Sequence, residues 1–323
     1  MAVYTEVSFA QAEALLARLG LGELRALEGI RSGIENTNYF ADTEHGHYVL
    51  TVFERLSFEQ LPFYLHLMKH LAERGIPVPR PHADPGGDIV LALQGKPAAV
   101  VERLRGAHRL APNAQHCAAL GDMLARMHVA AADFDRHQPN LRGPAWWSDT
   151  VPVVRPFLTA AQDALICQEL AFQQQLTASQ AHAALPTGPI HADLFRDNAM
   201  FETTEAGDRL SGLFDFYFAG VDALAFDIAV CLNDWCIDLD SGRLDEPRAS
   251  ALVGAYEGVR ALSSSERRLM PALLRGAALR FWLSRLWDLH LPRDATLLTA
   301  HDPTHFERVL RERVNTPWHP PTA

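Results

Sequence analysis

The sequence predicts an α+β protein in two lobes, a small β-rich lobe over residues 1–104 and a larger, mostly helical lobe over residues 105–323. Three observations carry this. The 323 residues are 48% hydrophobic and 21% charged, which is enough apolar material for two packed cores. Short β-like runs separated by turn residues crowd the chain before residue 104. Beyond Pro112 the apolar residues recur at helical spacing instead.

The elements follow in order. Ser8 and Gln11 form a capping-box pattern, and Phe9, Ala12, Leu15, Leu16 and Leu19 then repeat at helical spacing until Gly20 and Gly22. Three β-like runs come next, Ala26 to Ile30, Thr37 to Asp42 and Tyr48 to Phe53, the last two joined by the turn-rich Glu44-His45-Gly46. A helix is expected from Leu61 to Arg74, with Pro62 tolerable in its first turn and Gly75 as its stop. Pro77, Pro79 and Pro81 force an extended segment, and Asp88 to Leu93 and Pro97 to Leu104 read as two more strands. In the second lobe Asn113 can cap a helix that presents Cys117, Leu120, Leu124 and Met127 on one face. Short strands return only between Pro189 and Phe218. Helices are expected over Ala223 to Asp238, Pro247 to Arg260 and Ser265 to His290, the last preceded by the capping box Ser263-x-x-Glu266.

Charge narrows the possible partners. A formal net charge of -10 offers no basic field for nucleic acid or an anionic membrane. Glu6 and Glu13 interrupt the N-terminus, which does not read as a signal peptide, and no run approaches the ~18 apolar residues of a membrane span. A cytoplasmic protein is expected, with its oligomeric state left open. Cys117, Cys167, Cys231 and Cys236 form no C-x-x-C pair and read as reduced thiols.

The segment Ile190-His191-Ala192-Asp193-Leu194-Phe195-Arg196-Asp197-Asn198 contains H-x-D-x-x-x-x-N after a short apolar run, the catalytic-loop pattern of kinases. The spacing has a mechanical reason: a carboxylate accepts a hydroxyl proton while an amide oxygen a few residues on holds a metal that bridges phosphates. Asp193 and His191 are the expected catalytic residues. Asp215, in the apolar run Leu213-Phe214-Asp215-Phe216-Tyr217, is expected to join Asn198 in holding Mg²⁺. A competing reading makes Asp193 and Asn198 turn formers and His191 a core residue, but leaves an Asp in an apolar setting unexplained. The strand-loop-strand segment from Ile30 to Phe40 can cover nucleotide phosphates with backbone N–H groups.

Together with Pro77-Val78-Pro79, Leu120-Gly121-x-x-Leu124-x-x-Met127-His128 and Asp227-Ile228-Ala229, these residues resemble the aminoglycoside phosphotransferase and choline kinase superfamily. More narrowly, Glu35 to Phe40, Tyr48 to Thr51, His191 to Asn198, Leu232 to Cys236 and Arg280 to Leu286 look like the bacterial homoserine kinases. The resemblance spans nearly the whole chain. It implies a bilobal protein-kinase-like fold and transfer of the γ-phosphoryl of ATP to the hydroxyl of L-homoserine, giving O-phospho-L-homoserine for threonine biosynthesis. Asp193 would be the base, with Mg²⁺ on Asn198 and Asp215. Thr51 stands where protein kinases place a lysine, so Ser32, Gly33, Asn36, Asn38 and loop amides are the expected phosphate contacts. A zwitterionic acceptor needs an acid and a base, for which Asp234 and the pair Arg280 and Arg285 are the candidates. The alternatives are a sister kinase acting on an aminoglycoside, choline or a thio-sugar, and a non-catalytic nucleotide-binding module.

Overall fold

The computed structural model describes residues 5–30, 36–291 and 301–321. The chain divides into two compact units, Met1–Gly106 with Ser211–Phe214, and Ala107–Leu210 with Asp215–Ala323.

The first unit opens with α1 (Phe9–Arg18). The expected capping box forms: the Ser8 hydroxyl accepts the Gln11 N–H and the Gln11 side chain accepts the Ser8 N–H. Strands β1 (Leu24–Gly29), β2 (Asn36–Thr43) and β3 (His47–Phe53) follow, then α2 (Leu61–Glu73), β4 (Leu91–Leu93) and β5 (Lys96–Glu102). The strands form one antiparallel sheet in the order β1-β2-β3-β5-β4. The β2–β3 turn closes as its sequence suggests, with the Thr43 hydroxyl accepting the N–H groups of His45 and Gly46. Ala12, Leu15 and Leu16 of α1 share a core with Leu50, Val52, Ala98 and Val100. Alternation along β2 therefore buries Thr37, Tyr39 and Ala41 and leaves Asn36 and Asn38 on the opposite, half-buried face.

The second unit begins with α3 (Ala114–Ala130), capped by Asn113 as expected. After it come α4 (Pro144–Val154), α5 (Ala160–Thr177), α6 (Gln180–Ala183), β6 (Thr187–Ile190), β7 (Ala199–Thr204), β8 (Gly207–Leu213), β9 (Gly220–Ala223), α7 (Leu224–Trp235), α8 (Glu246–Val259), α9 (Ser264–His290) and α10 (Thr304–Asn315). Strand β6 pairs antiparallel with β9, and β7 pairs with β8. The sequence reading foresaw α3, α7, α8 and α9 as separate helices but not α4, α5 or α10. Among the described residues no helix is long and apolar enough to cross a membrane.

Helices α3 and α8 approach each other closely. A Cβ built on Gly121 of α3 would lie 2.0 Å from the carbonyl oxygen of Leu252 on α8, so only glycine permits this packing. Gly121→Ala is expected to destabilise the fold by about 3 kcal/mol despite alanine's better helix propensity, read as a lower denaturant midpoint with an unchanged slope.

Candidate active site

Strand β6 delivers the chain into the H-x-D loop, and a buried carboxylate receives it. Asp227, in the first turn of α7, accepts the His191 N–H through Oδ2 and the Ala192 N–H through Oδ1, both at 2.8 Å. Ala192 is held at φ +62°, a left-handed conformation that costs a non-glycine residue of order 1 kcal/mol and is offset by the bond Asp227 makes to its amide. Asp227 is fully buried. Burial alone raises a carboxyl pKa, but the hydrogen bond from His128 and the charges of His128 and His191 more than reverse this, so its pKa lies below the usual value.

His128 reaches Asp227 from α3, its Nε2 3.1 Å from Oδ2, while its Nδ1 lies 2.8 Å from the Tyr256 hydroxyl on α8. Arg260 completes the chain, with Nη1 3.1 Å from the same hydroxyl and 2.9 Å from Glu266 Oε1. Arg260 donates to the Tyr256 hydroxyl, and the His128 ring links that hydroxyl to Asp227.

Within the loop the Asp193 N–H donates to His191 Nδ1 at 3.3 Å, and Asn198 Nδ2 donates to the Asp193 carbonyl at 2.8 Å. The second bond closes the turn and fixes the orientation of the Asn198 amide, with Oδ1 as its acceptor end. Asp215 is at φ +66°, tolerable for aspartate, and heads the short 3₁₀ turn Phe216–Phe218. Phe216 is buried with its ring centre 4.5 Å from that of His191, which brings the Asp215 segment onto the catalytic loop.

The residues expected to bind the acceptor separate. Arg280 is 3% exposed and places Nη1 4.0 Å from Asp193 Oδ1. Its guanidinium carbon is 3.9 Å from the ring centre of Phe281 and 5.0 Å from that of Phe218. Arg285 donates to the Asp302 carbonyl at 3.2 Å and lies 4.4 Å from the Phe306 ring. Asp234 needs a correction. Arg196 donates its backbone N–H and Nε to Oδ2, at 2.8 and 3.0 Å, and Nη2 to Oδ1 at 2.9 Å. With both oxygens engaged and little exposure, Asp234 braces the catalytic loop and is not an open acid for an ammonium group.

In the first unit, the Asn38 side-chain oxygen accepts the Thr51 hydroxyl at 2.8 Å, across the register pair that joins β2 to β3. Lys96 of β5 is bonded to Glu54 and to the Thr5 hydroxyl. Ser32 and Gly33 lie outside the described residues. The sequence reading gave no role to Arg196 or to Arg142. Arg196 sits inside the motif it supports, whereas nothing in the sequence around Arg142 marks it.

A profile of the phosphotransferase enzyme family matches residues 26–262. The chain belongs to this family. Within it, the chain falls among the homoserine kinases. It is 63% identical over 318 residues to the homoserine kinase of Polaromonas naphthalenivorans, covering 98% of this chain and 99% of that one. It is 57% identical to the homoserine kinase of Cupriavidus necator, covering 97% and 96%. Among solved structures, the amicoumacin kinase hAmiN in complex with AMP-PNP and Ca²⁺ aligns with a TM-score of 0.69 at 19% identity, covering 96% and 95% of the two chains. A Plasmodium vivax ethanolamine kinase aligns at 0.64 and 14% identity, covering 97% and 90%. At such identities these likenesses concern the fold, which is that of the small-molecule kinases.

Asp227→Asn tests the anchor. The amide retains one acceptor but turns an N–H₂ toward a backbone N–H, leaving a buried donor unsatisfied. Steady-state kinetics should show kcat down roughly a hundredfold with both KM values nearly unchanged, and unfolding should show a stability loss of about 3 kcal/mol.

Proposed function

We propose that this phosphotransferase transfers the γ-phosphoryl of Mg-ATP to the side-chain hydroxyl of L-homoserine, with Asp193 as the proton acceptor. The bond from γ-phosphorus to the β-bridging oxygen breaks as the hydroxyl oxygen bonds to phosphorus. The hydroxyl proton goes to Asp193 and ADP leaves. The observation that carries the reading is the buried cation beside the base: Arg280 Nη1 lies 4.0 Å from Asp193 Oδ1. Beside that guanidinium an acceptor gains from carrying an anion, as homoserine does, while choline or an aminoglycoside would bring positive charge to positive charge.

The donor set suits magnesium. Asn198 Oδ1 and the Asp215 carboxylate are hard oxygens, and Mg²⁺ commonly takes one or two protein ligands with phosphates and waters completing its shell. Among the described residues no cluster of three His, Cys, Asp or Glu side chains could hold a metal ion. When bound, the ion supplies charge neutralisation on the phosphates. Asn198 and Asp215 would hold it, and the bond from Asn198 to the Asp193 carbonyl couples metal ligand and base within one turn. In the first unit Asn36 and Asn38 are the proposed phosphate contacts. The Thr51 hydroxyl occupies the Asn38 oxygen and leaves its N–H₂ for a phosphate, where protein kinases use lysine. On this reading the product is O-phospho-L-homoserine, made for threonine biosynthesis, and a cytoplasmic location is part of the same proposal.

The reading is tested by ADP release with Mg-ATP and a panel of L-homoserine, L-serine, choline, methylthioribose and kanamycin. Turnover should select homoserine, and Asp193→Asn should lower kcat about a thousandfold while nucleotide binding persists. Preferred turnover of a cationic acceptor would overturn the homoserine assignment and leave the phosphotransferase standing.

A further inference from the structure

Arg142 stands just ahead of α4, in a segment laced onto the stretch that follows Asp215. The Val221 N–H donates to the Gln138 carbonyl at 2.7 Å, and the Asn140 N–H donates to the Val221 carbonyl at 3.3 Å. The backbones touch so closely that a Cβ on Gly220 would lie 2.8 Å from the Asn140 Cα. Asn140 then does three things. Its Nδ2 donates to Asp222 at 2.8 Å, its Oδ1 accepts the Arg142 N–H at 2.9 Å, and its carbonyl accepts the Gly143 N–H at 3.1 Å. The indole N–H of buried Trp147 donates to the Arg142 carbonyl at 2.6 Å. Both backbone groups of Arg142 are therefore held by side chains, an arrangement that fixes the direction in which the residue leaves the loop.

Its guanidinium carbon lies 4.7 Å from the Trp146 ring centre and 5.8 Å from that of Phe218. Arg280 approaches the same Phe218 ring, at 5.0 Å, from the neighbourhood of Asp193. Phe218 follows Asp215 by three residues. Two guanidinium groups thus approach one ring, one of them beside Asp193, in a chain whose net charge is -10. Stacking on Trp146 contributes to the packing of Arg142. The laced loop sets the direction of Arg142 toward the ring that Arg280 also approaches.

We propose that Arg142 is a specificity-determining residue that acts with Arg280 as a guanidinium pair receiving the acceptor's carboxylate. This rests on the homoserine reading above. A planar carboxylate accepts two parallel N–H bonds from such a group, and holding it would leave the γ-hydroxyl free to face Asp193. The same pair could meet a phosphate of the nucleotide, and a single comparison separates the two sources. Removing the carboxylate from L-homoserine gives 3-amino-1-propanol, which keeps the amine and hydroxyl and their spacing.

The full-length enzyme, Arg142→Ala and Arg142→Lys are assayed with each acceptor under saturating Mg-ATP, and KM for ATP is measured. Wild type should prefer homoserine. Arg142→Ala should lower kcat/KM for homoserine by about tenfold to a hundredfold, the range for a lost hydrogen bond to a charged group, with 3-amino-1-propanol unaffected within about threefold. Arg142→Lys should recover part of that loss, since it keeps the charge without the fork, and it carries the test should the alanine variant fail to fold. Equal losses on both acceptors, or a raised KM for ATP, would overturn the pair as a carboxylate site. A wild type that does not phosphorylate homoserine would instead sink the acceptor reading, before any variant is compared.

Discussion

The buried carboxylate of Asp227 is the interaction on which the catalytic centre depends. An ionised group without solvent survives only when every oxygen is matched, and Asp227 is matched by two consecutive backbone amides and an imidazole. The amides belong to His191 and Ala192, so the anchor sets the path of the chain immediately before Asp193. The left-handed turn at Ala192 is an unfavourable backbone state that the anchor over-determines. The chain through His128, Tyr256 and Arg260 extends the same demand across α3 and α8, ending at an arginine whose charge Glu266 balances. The gap-free contact of those two helices at Gly121 is part of the same economy, since it keeps His128 and Tyr256 within bonding distance.

A second ion pair works on the other side of the loop. Arg196 is bound to Asp234 through its backbone and its guanidinium, which ties the middle of the loop to the C-terminal end of α7, while Asp227 ties the beginning of the loop to the N-terminal end of the same helix. One helix therefore braces the loop at two points. Every residue of α7 is buried, and the helix shows no solvent-facing stripe. Arg280, on α9, stands beside Asp193, with Nη1 4.0 Å from Oδ1.

The sequence by itself determined a good deal, because the features concerned are local. Capping boxes at Ser8 and Ser263, the Gly75 stop and the alternation in β2 follow from backbone chemistry within a few residues, and they appear where expected. The H-x-D-x-x-x-x-N segment is local in the same way: Asp193 and Asn198 lie within one turn, closed by a bond between them. Helix α5 was not resolved as a separate element because its buried positions, Ile166, Glu169 and Gln173, include two polar residues whose partners come from α9 and from each other. The allocation of charged residues to roles was decided only by the tertiary structure. Asp234, Arg280 and Arg285 are all charged residues on helices that follow the motif, and composition offers no way to rank them. Packing seats Asp234 against Arg196, Arg285 against Asp302 and Phe306, and Arg280 against Asp193. Arg142 joins that group through hydrogen bonds and backbone contacts that link residues about eighty positions apart, and no periodicity records a contact of that range.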